Sequence, residues 1–293
     1  MATSDTMSKL RFLFIIILLI SCVAKDEKVI ELWANDQVKI KKVYYHESDT
    51  GQYVILTYYT NGQLESRTPF ISKNKNGWGT IFYENGKVKD SIFYRDNIPT
   101  TTAYHFYTNG VQASVGQFNE LGKRYGWWTF YDSLGRIKEK TEYIHHDLKT
   151  TTYYFDTLGW MIREVIFNEA TDEKVLIERN YKDSVLHGVF KKYYETGVLA
   201  KAGEYANGQL KNTQWTDFYN NGQKFMEYTF ADRDNLIVIN LWNEDGTLSV
   251  KEGNGKHITF EYCQNGKVKT KIITLYKGGY LVSRNRVNIT SCH

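Results

Sequence analysis

Short runs of β-branched and aromatic residues, broken at close intervals by polar corners that carry a glycine, make up most of this chain. The clearest case is Thr80-Ile81-Phe82-Tyr83, which leads into Asn85-Gly86 and resumes as Val88-Lys89-Asp90-Ser91-Ile92-Phe93-Tyr94. No long stretch repeats with the ~3.6-residue period of a helix, so these runs predict strands. Asn-Gly between two such strands predicts a type I′ turn with positive φ at both central residues, and hence a hairpin. The same text recurs at Tyr59-Thr60-Asn61-Gly62, Tyr107-Thr108-Asn109-Gly110, Tyr194-Glu195-Thr196-Gly197 and Tyr219-Asn220-Asn221-Gly222. A second version has one extra residue between aromatic and glycine: Tyr131 to Gly135, Phe155 to Gly159 and Tyr262 to Gly266. Those corners predict a type I turn followed by a left-handed glycine in a bulge.

Tyr59, Tyr83, Tyr107, Tyr131 and Phe155 follow one another at steps of 24 residues. A fixed period of that kind marks a chain built by stacking one small unit. The expected turn glycines are Gly62, Gly86, Gly110, Gly135, Gly159, Gly197, Gly222, Gly246 and Gly266. Regularity decays after Phe155, and the longer interval to Tyr194 leaves room for an extra hairpin around Ala170–Lys174. Trp33-Ala34-Asn35-Asp36 and Tyr276-Lys277-Gly278-Gly279 read as degenerate terminal copies, as expected where an outermost unit must face water. The fold class is all-β: an elongated antiparallel sheet, or open β-solenoid, of consecutive hairpins.

Composition agrees. Tyrosine outnumbers leucine and only two prolines occur, Pro69 and Pro99. Tyrosine suits an open sheet because it packs a ring and keeps its hydroxyl wet. The net charge of +4 is spread along the chain without a basic stripe, so no nucleic-acid partner is expected.

The first residues carry a different signal. Met7-Ser8-Lys9-Leu10-Arg11 is a basic start, and Phe12 to Ile20 is an apolar run. As a helix that run spans roughly 14 Å, about half a bilayer core, which fits an export signal and not a membrane span. It ends in Leu19-Ile20-Ser21-Cys22, which resembles the lipobox of bacterial lipoproteins. The resemblance implies cleavage before Cys22 and lipidation of its thiol, hence a membrane-anchored protein of the cell envelope, on the periplasmic or surface face of the outer membrane. The expected organisation is a signal peptide over 1–21, a tether over 22–32 and the repeat array over 33–293. Lys25-Asp26-Glu27 resembles the short charged tag of surface lipoproteins in Bacteroidetes. Asp132-Ser133-Leu134 and Asp156-Thr157-Leu158, among others, resemble the O-glycosylation sites of that phylum, although Asp and Ser are ordinary turn residues. Cys263 and Cys292 either pair in an oxidising envelope or stay free; two cysteines do not decide it.

Catalytic patterns are missing from the text. There is no phosphate-cradling glycine loop, no dinucleotide-binding glycine pattern and no nucleophile elbow. Histidines 46, 105, 145, 146, 187, 257 and 293 form no zinc-protease pair, so no metal or cofactor is expected. Asp232, Asp234 and Asn235 lack the later carboxylate and glycine of a calcium loop and read as a solvated turn. Tryptophans recur near strand positions. They pack successive hairpins together, or some of them, with Trp78, Trp127, Trp128 and Trp215 as candidates, line a binding face. Trp127 and Trp128 are adjacent and must face opposite sides of a strand.

Gly188-Val189-Phe190-Lys191-Lys192-Tyr193-Tyr194-Glu195-Thr196-Gly197-Val198-Leu199, its continuation Gly203-Glu204-Tyr205-Ala206-Asn207-Gly208-Gln209, and Gly126 to Gly135 resemble the bacterial variant of the MORN repeat. In the units that open at Gly188 and Gly126 the leading glycine stands nine residues before the turn glycine. The resemblance runs from about Tyr58 to Gly266 and is broken between Trp160 and Leu186 and after Phe230. It implies hairpins in an extended antiparallel sheet, and a scaffold, protein-binding platform or membrane-associated module with no catalytic residues. The expected function is therefore a non-enzymatic envelope lipoprotein whose sheet binds a protein, or a glycan. Many bacterial relatives are labelled antitoxins, so the alternative is neutralisation of a partner toxin. A carbohydrate-active enzyme would need a carboxylate pair in a cleft.

Overall fold

A computed structural model describes residues 24–45, 51–144, 148–168, 174–210, 213–232, 235–264 and 266–289. Among them there are strands and turns and no helix. They fall into two units, one running to Arg136 and the other taking Ile137–Ile144 and Leu148 onward. The first holds β1 (Ala24–Leu32), β2 (Val38–Tyr45), β3 (Gln52–Tyr58), β4 (Leu64–Ile71), β5 (Asn74–Lys75), β6 (Gly77–Phe82), β7 (Val88–Arg95), β8 (Ile98–Phe106), β9 (Gln112–Phe118) and β10 (Arg124–Tyr131). The second begins with β11 (Ile137–Tyr143), β12 (Lys149–Phe155), β13 (Met161–Phe167), β14 (Val175–Lys182), β15 (Val185–Tyr193) and β16 (Leu199–Tyr205). It continues as β17 (Trp215–Phe218), β18 (Lys224–Phe230), β19 (Leu236–Trp242), β20 (Leu248–Lys251), β21 (Asn254–Tyr262), β22 (Val268–Lys277) and β23 (Tyr280–Asn288). Within each unit, successive strands pair antiparallel; β5 and β6 both pair with β4, as two pieces of one interrupted strand. Consecutive hairpins are thus the organising element, as the alternation of apolar runs and glycine corners predicts.

All nine expected turn glycines lie in the left-handed region, with φ between 78° and 88°. The turn itself differs from the type I′ expectation. Gly86 N donates to Tyr83 O at 2.8 Å and Tyr83 N donates to Lys87 O at 2.8 Å. Only the glycine of Asn85-Gly86 has positive φ. This is a type I turn closed by a left-handed glycine bulge, and it needs one special residue, not two. The two sequence versions build the same turn: Gly135 N donates to Asp132 O at 3.0 Å, with Asp132 where Tyr83 stands in the other. The extra residue lies in the strand, and the loop length is constant. Side chains complete the corner in two ways. Asn85 Oδ1 accepts Lys87 N at 3.1 Å, whereas Asp132 Oδ1 accepts both Leu134 N and Arg136 N at 2.9 Å. Trp33 to Asp36 is a full copy in which Asp36, at φ 62°, takes the glycine's place.

True two-residue turns join other strands, at Asp96-Asn97, Asp183-Ser184, Glu252-Gly253 and Gly278-Gly279, and Asn207-Gly208 makes one inside the connection from β16 to β17, closed by the Ala206–Gln209 bridge; in each both φ values are positive. Tyr276 to Gly279 is therefore no copy of the repeated corner. It ends the β22–β23 hairpin and folds back onto β19: Val238 N donates to Gly279 O at 2.9 Å, and Gly279 N donates to Gly253 O at 2.9 Å. Three backbones meet there, and a Cβ on Gly253 would stand 2.3 Å from Gly279 N.

Pairing continues through both regions where the repeat text breaks down, since β12, β13, β14 and β15 pair in turn, as do β18 through β22. Three strands, β13, β14 and β15, separate the corner at Gly159 from that at Gly197. Antiparallel strands alternate direction, so an odd number moves the repeated corner to the opposite rim of the second unit. Met161 N and Ser184 Oγ, 3.3 Å apart, mark the old rim, which now carries two-residue turns.

The tether expected over 22–32 is instead strand from Ala24, paired along its length with β2. Peptide groups so close to the sheet gain ladder hydrogen bonds by joining it. The signal over 1–21 and Cys22 lie outside the described residues, as do Cys292 and the loop at 169–173.

Candidate functional site

Where a repeated corner opens on tyrosine, that residue binds it to the next. The hydroxyl of Tyr59 donates to Phe82 O, Tyr83 to Phe106 O and Tyr107 to Tyr131 O, all at 2.7 Å. In the second unit Tyr194 donates to Phe218 O at 2.7 Å and Tyr219 to Trp242 O at 2.8 Å. The amides of Asn85 and Asn109 make a parallel rail to Thr108 O and Ser133 O, both at 2.8 Å. At Tyr59, Tyr83 and Tyr107 the sequence period thus has a direct physical meaning: the tyrosine of one corner grips the next.

The leading glycine of the motif makes a bulge. Gly77, Gly126 and Gly188 have φ of 104°, 66° and 82°. Register slips in β10 between Tyr125 and Thr129, around Gly126. The bulge sets which tryptophan turns inward. Trp128 is buried, at 1% exposure, and Trp127 is 47% exposed. Trp128 lies flat against Gly116, where a Cβ would meet the indole at 2.1 Å, and its Nε1 donates to Gln117 O at 3.0 Å. Phe118, Phe130 and His105 surround it. The second unit repeats the device: Trp215, 3% exposed, covers Gly203 amid Phe190, Tyr205 and Phe230. Of the four candidate binding aromatics, Trp128 and Trp215 are consequently core residues, while Trp78 and Trp127 remain on the surface. Glycine twelve residues ahead of tryptophan is a signal the sequence reading passed over.

The second unit also gathers charge. Glu164, 9% exposed, accepts Arg179 Nη1 at 2.6 Å and the Tyr181 hydroxyl at 3.0 Å. Burial first, then that hydrogen bond, pushes the Tyr181 hydroxyl up to about 12. Lys201 Nζ reaches both the Tyr228 hydroxyl, at 2.7 Å, and Asp217, at 3.2 Å. Buried Glu227 takes Lys224 and Asn240; those two contacts outweigh burial and hold its carboxyl below the usual range. These groups satisfy one another, so the arrangement aligns strands.

Other sequence candidates are scattered. His105 pairs with Asp90, and His187 stands 3.2 Å from Asn207. His257 is buried, with Nδ1 3.0 Å from Ser249 Oγ. Histidines 46, 145, 146 and 293 and Asp234 lie outside the described residues. Asp232 uses both carboxylate oxygens on Asn235, as a turn does. No group of three metal-ligating side chains occurs among the described residues. Cys263, 8% exposed, is disulfide-bonded.

The chain is similar to solved structures only at a distance. A porin-like protein from Bacteroides uniformis ATCC 8492 shares 12% identity over 89% of this chain and 92% of its own, with a TM-score of 0.22. The complex TcdB2-TccC3-TEV shares 11% identity over 92% of this chain and 16% of its own, at a TM-score of 0.17. TcdB2-TccC3 without its hypervariable C-terminal region shares 10% over 86% of this chain and 17% of its own, at 0.17. Likeness at this level carries nothing about what the chain does. No curated protein matches it. The family model described as MORN repeat variant matches residues 54–72, 76–96 and 186–207, so the chain carries repeats of this kind at three places, each centred on a corner and its two strands.

Proposed function

We propose that this protein is a non-enzymatic lipoprotein of the cell envelope, anchored through Cys22, whose repeat sheets serve as a binding or scaffolding surface for a protein partner. The observation that carries the reading is the tyrosine rail. Corners bound one to the next at about 2.7–2.8 Å make a preorganised surface, which lowers the ordering cost of binding. The matched repeats and the mutual satisfaction of the buried charges support a platform over a reactive site. The anchor rests on Leu19-Ile20-Ser21-Cys22 at the end of a short apolar run. β1 starts only two residues beyond Cys22, so an acyl anchor there holds the first sheet close to the bilayer.

Mass spectrometry of the N-terminal peptide, with fractionation of wild type and Cys22→Ala, tests the anchor. Acylated Cys22 and loss of the variant from membranes are expected, and an unmodified residue 22 within an uncleaved leader refutes it. Affinity capture from cross-linked envelopes tests the surface: one partner, recovered stoichiometrically and released by substitutions on one sheet face, is the expected result.

A further inference from the structure

One face of the first unit has a composition unlike the rest. Trp78 pairs across strands with Phe93, Ser91 with Tyr104, Tyr104 with Val115 and Val115 with Thr129. Alternate residues of a strand share a face, so Trp78, Phe93, Tyr104 and Trp127 all lie on one side of β6–β10. Ring centres of Trp78 lie 5.5 Å from Phe93 and 6.1 Å from Tyr104. Trp78 is 40% and Trp127 47% exposed, on a face opposite to the one where Trp128 is buried. On the direct path between the two indoles, Ser91, Thr102, Gln117 and Thr129 offer hydroxyls and an amide without charge; Lys89 and Arg95 share this face toward the two ends of β7, and Arg67 stands opposite Thr80 on β4. The charged pair His105–Asp90 and the guanidinium of Arg124 over Trp128 belong to the other face.

We infer that this face is a binding site for a neutral glycan chain. The observation is a sheet surface on which two exposed indoles are separated by hydroxyl and amide groups, with cations only at the ends of β7 and on β4. An indole presents an electron-rich face to the electron-poor C–H groups of a pyranose ring. Hydroxyl and amide side chains beside it supply donors and acceptors for the sugar hydroxyls. Four strand spacings of ~4.8 Å separate the strands that bear Trp78 and Trp127, a span of roughly 19 Å that suits an extended oligosaccharide. A purely apolar partner would leave the hydroxyls between the indoles unpaired. The inference rests on the reading of the sheets as a binding surface and names its ligand class; it does not depend on the lipid at Cys22.

Binding is tested by tryptophan fluorescence of the intact chain, purified in a sugar-free detergent and titrated with cellohexaose, mannohexaose and maltohexaose, with hexagalacturonate as the charged comparator. A saturable response to at least one neutral hexasaccharide, protection of wild-type tryptophan from acrylamide quenching by it, and a loss of roughly tenfold in affinity for each of Trp78→Ala and Trp127→Ala are expected. Melting curves of the two variants should match wild type, since both rings are outside the core; if a variant fails to fold, the quenching protection alone decides. No saturable response to any neutral sugar, binding of the uronate alone, or unchanged affinity in the double variant overturns the inference. If no neutral sugar binds while captured protein partners stay bound to the double variant, the glycan site is removed and the scaffold reading stands.

Discussion

The hydroxyl of Tyr83 donates to the backbone carbonyl of Phe106 at 2.7 Å, spanning one repeat. Phe106 immediately precedes Tyr107, which makes the same bond to Tyr131 O. The rail is therefore a chain of equal links, each tying a corner to the carbonyl just before the next. Where Asp132 and Asp156 replace the tyrosine, the carboxylate turns inward to cap its own corner, and that link is absent from the corner's first residue.

Removing one link should loosen one junction. Tyr83→Phe keeps the ring and deletes the hydroxyl, so a loss of about 1 kcal/mol in urea unfolding is expected, the usual net worth of such a bond. Asp132→Ala, which uncaps a corner without breaking a link, should cost a similar amount while leaving hydrogen exchange at the Phe106–Tyr107 junction unchanged; faster exchange there would contradict the division of roles.

Gly116 and Gly203 are predicted to be sensitive glycines within strands. A Cβ would stand 2.1 Å from the Trp128 indole in one case and 2.3 Å from Trp215 in the other. Alanine at either site must displace a buried indole, at a cost of roughly 2–4 kcal/mol. Gly159→Asn, at a corner with open space around the Cβ and φ 86°, should cost well under half as much. Equal melting temperatures for Gly116→Ala and Gly159→Asn would contradict the packing account.

Acid should weaken the second unit through His257. Burial lowers its folded-state pKa below the ordinary 6.5, so the unfolded chain binds the proton more readily. The histidine's contribution is whole above pH 6.5 and is lost as pH falls from there through the lower folded value. Urea midpoints measured from pH 8 to pH 5 should fall across that window, and His257→Gln should flatten the slope.

Cys263 is bonded through sulfur, and Ile289, three residues before Cys292, is held to Lys269 by a 2.8 Å hydrogen bond. The expected partner is Cys292. Peptide mapping without reduction should find the linked pair, and Cys292→Ser should lower stability by about 3 kcal/mol, the usual worth of closing a loop of this length. Free, alkylatable Cys292 in the native protein would exclude the bridge.

Strands, hairpins and the nine corner glycines were legible in the sequence because each is a local matter. A glycine free to take positive φ, flanked by β-branched and aromatic residues, is enough to reverse a chain. The kind of turn was misread at Asn85-Gly86, since the same dipeptide serves a two-residue turn or a bulged one, and pairing register chooses between them. Period was equally plain, and at Tyr59, Tyr83 and Tyr107 the tyrosine rail is its physical counterpart. Which of Trp127 and Trp128 turns inward was not legible: adjacency sets them on opposite sides, but the bulge at Gly126 and the bare surface at Gly116 decide which side is the core. The third strand between Gly159 and Gly197 likewise moved the corners to the other rim, a matter of counting strands that spacing alone does not report. Local text dictates each ribbon; the pleat has a period of two, so only the assembled register settles which face every side chain meets.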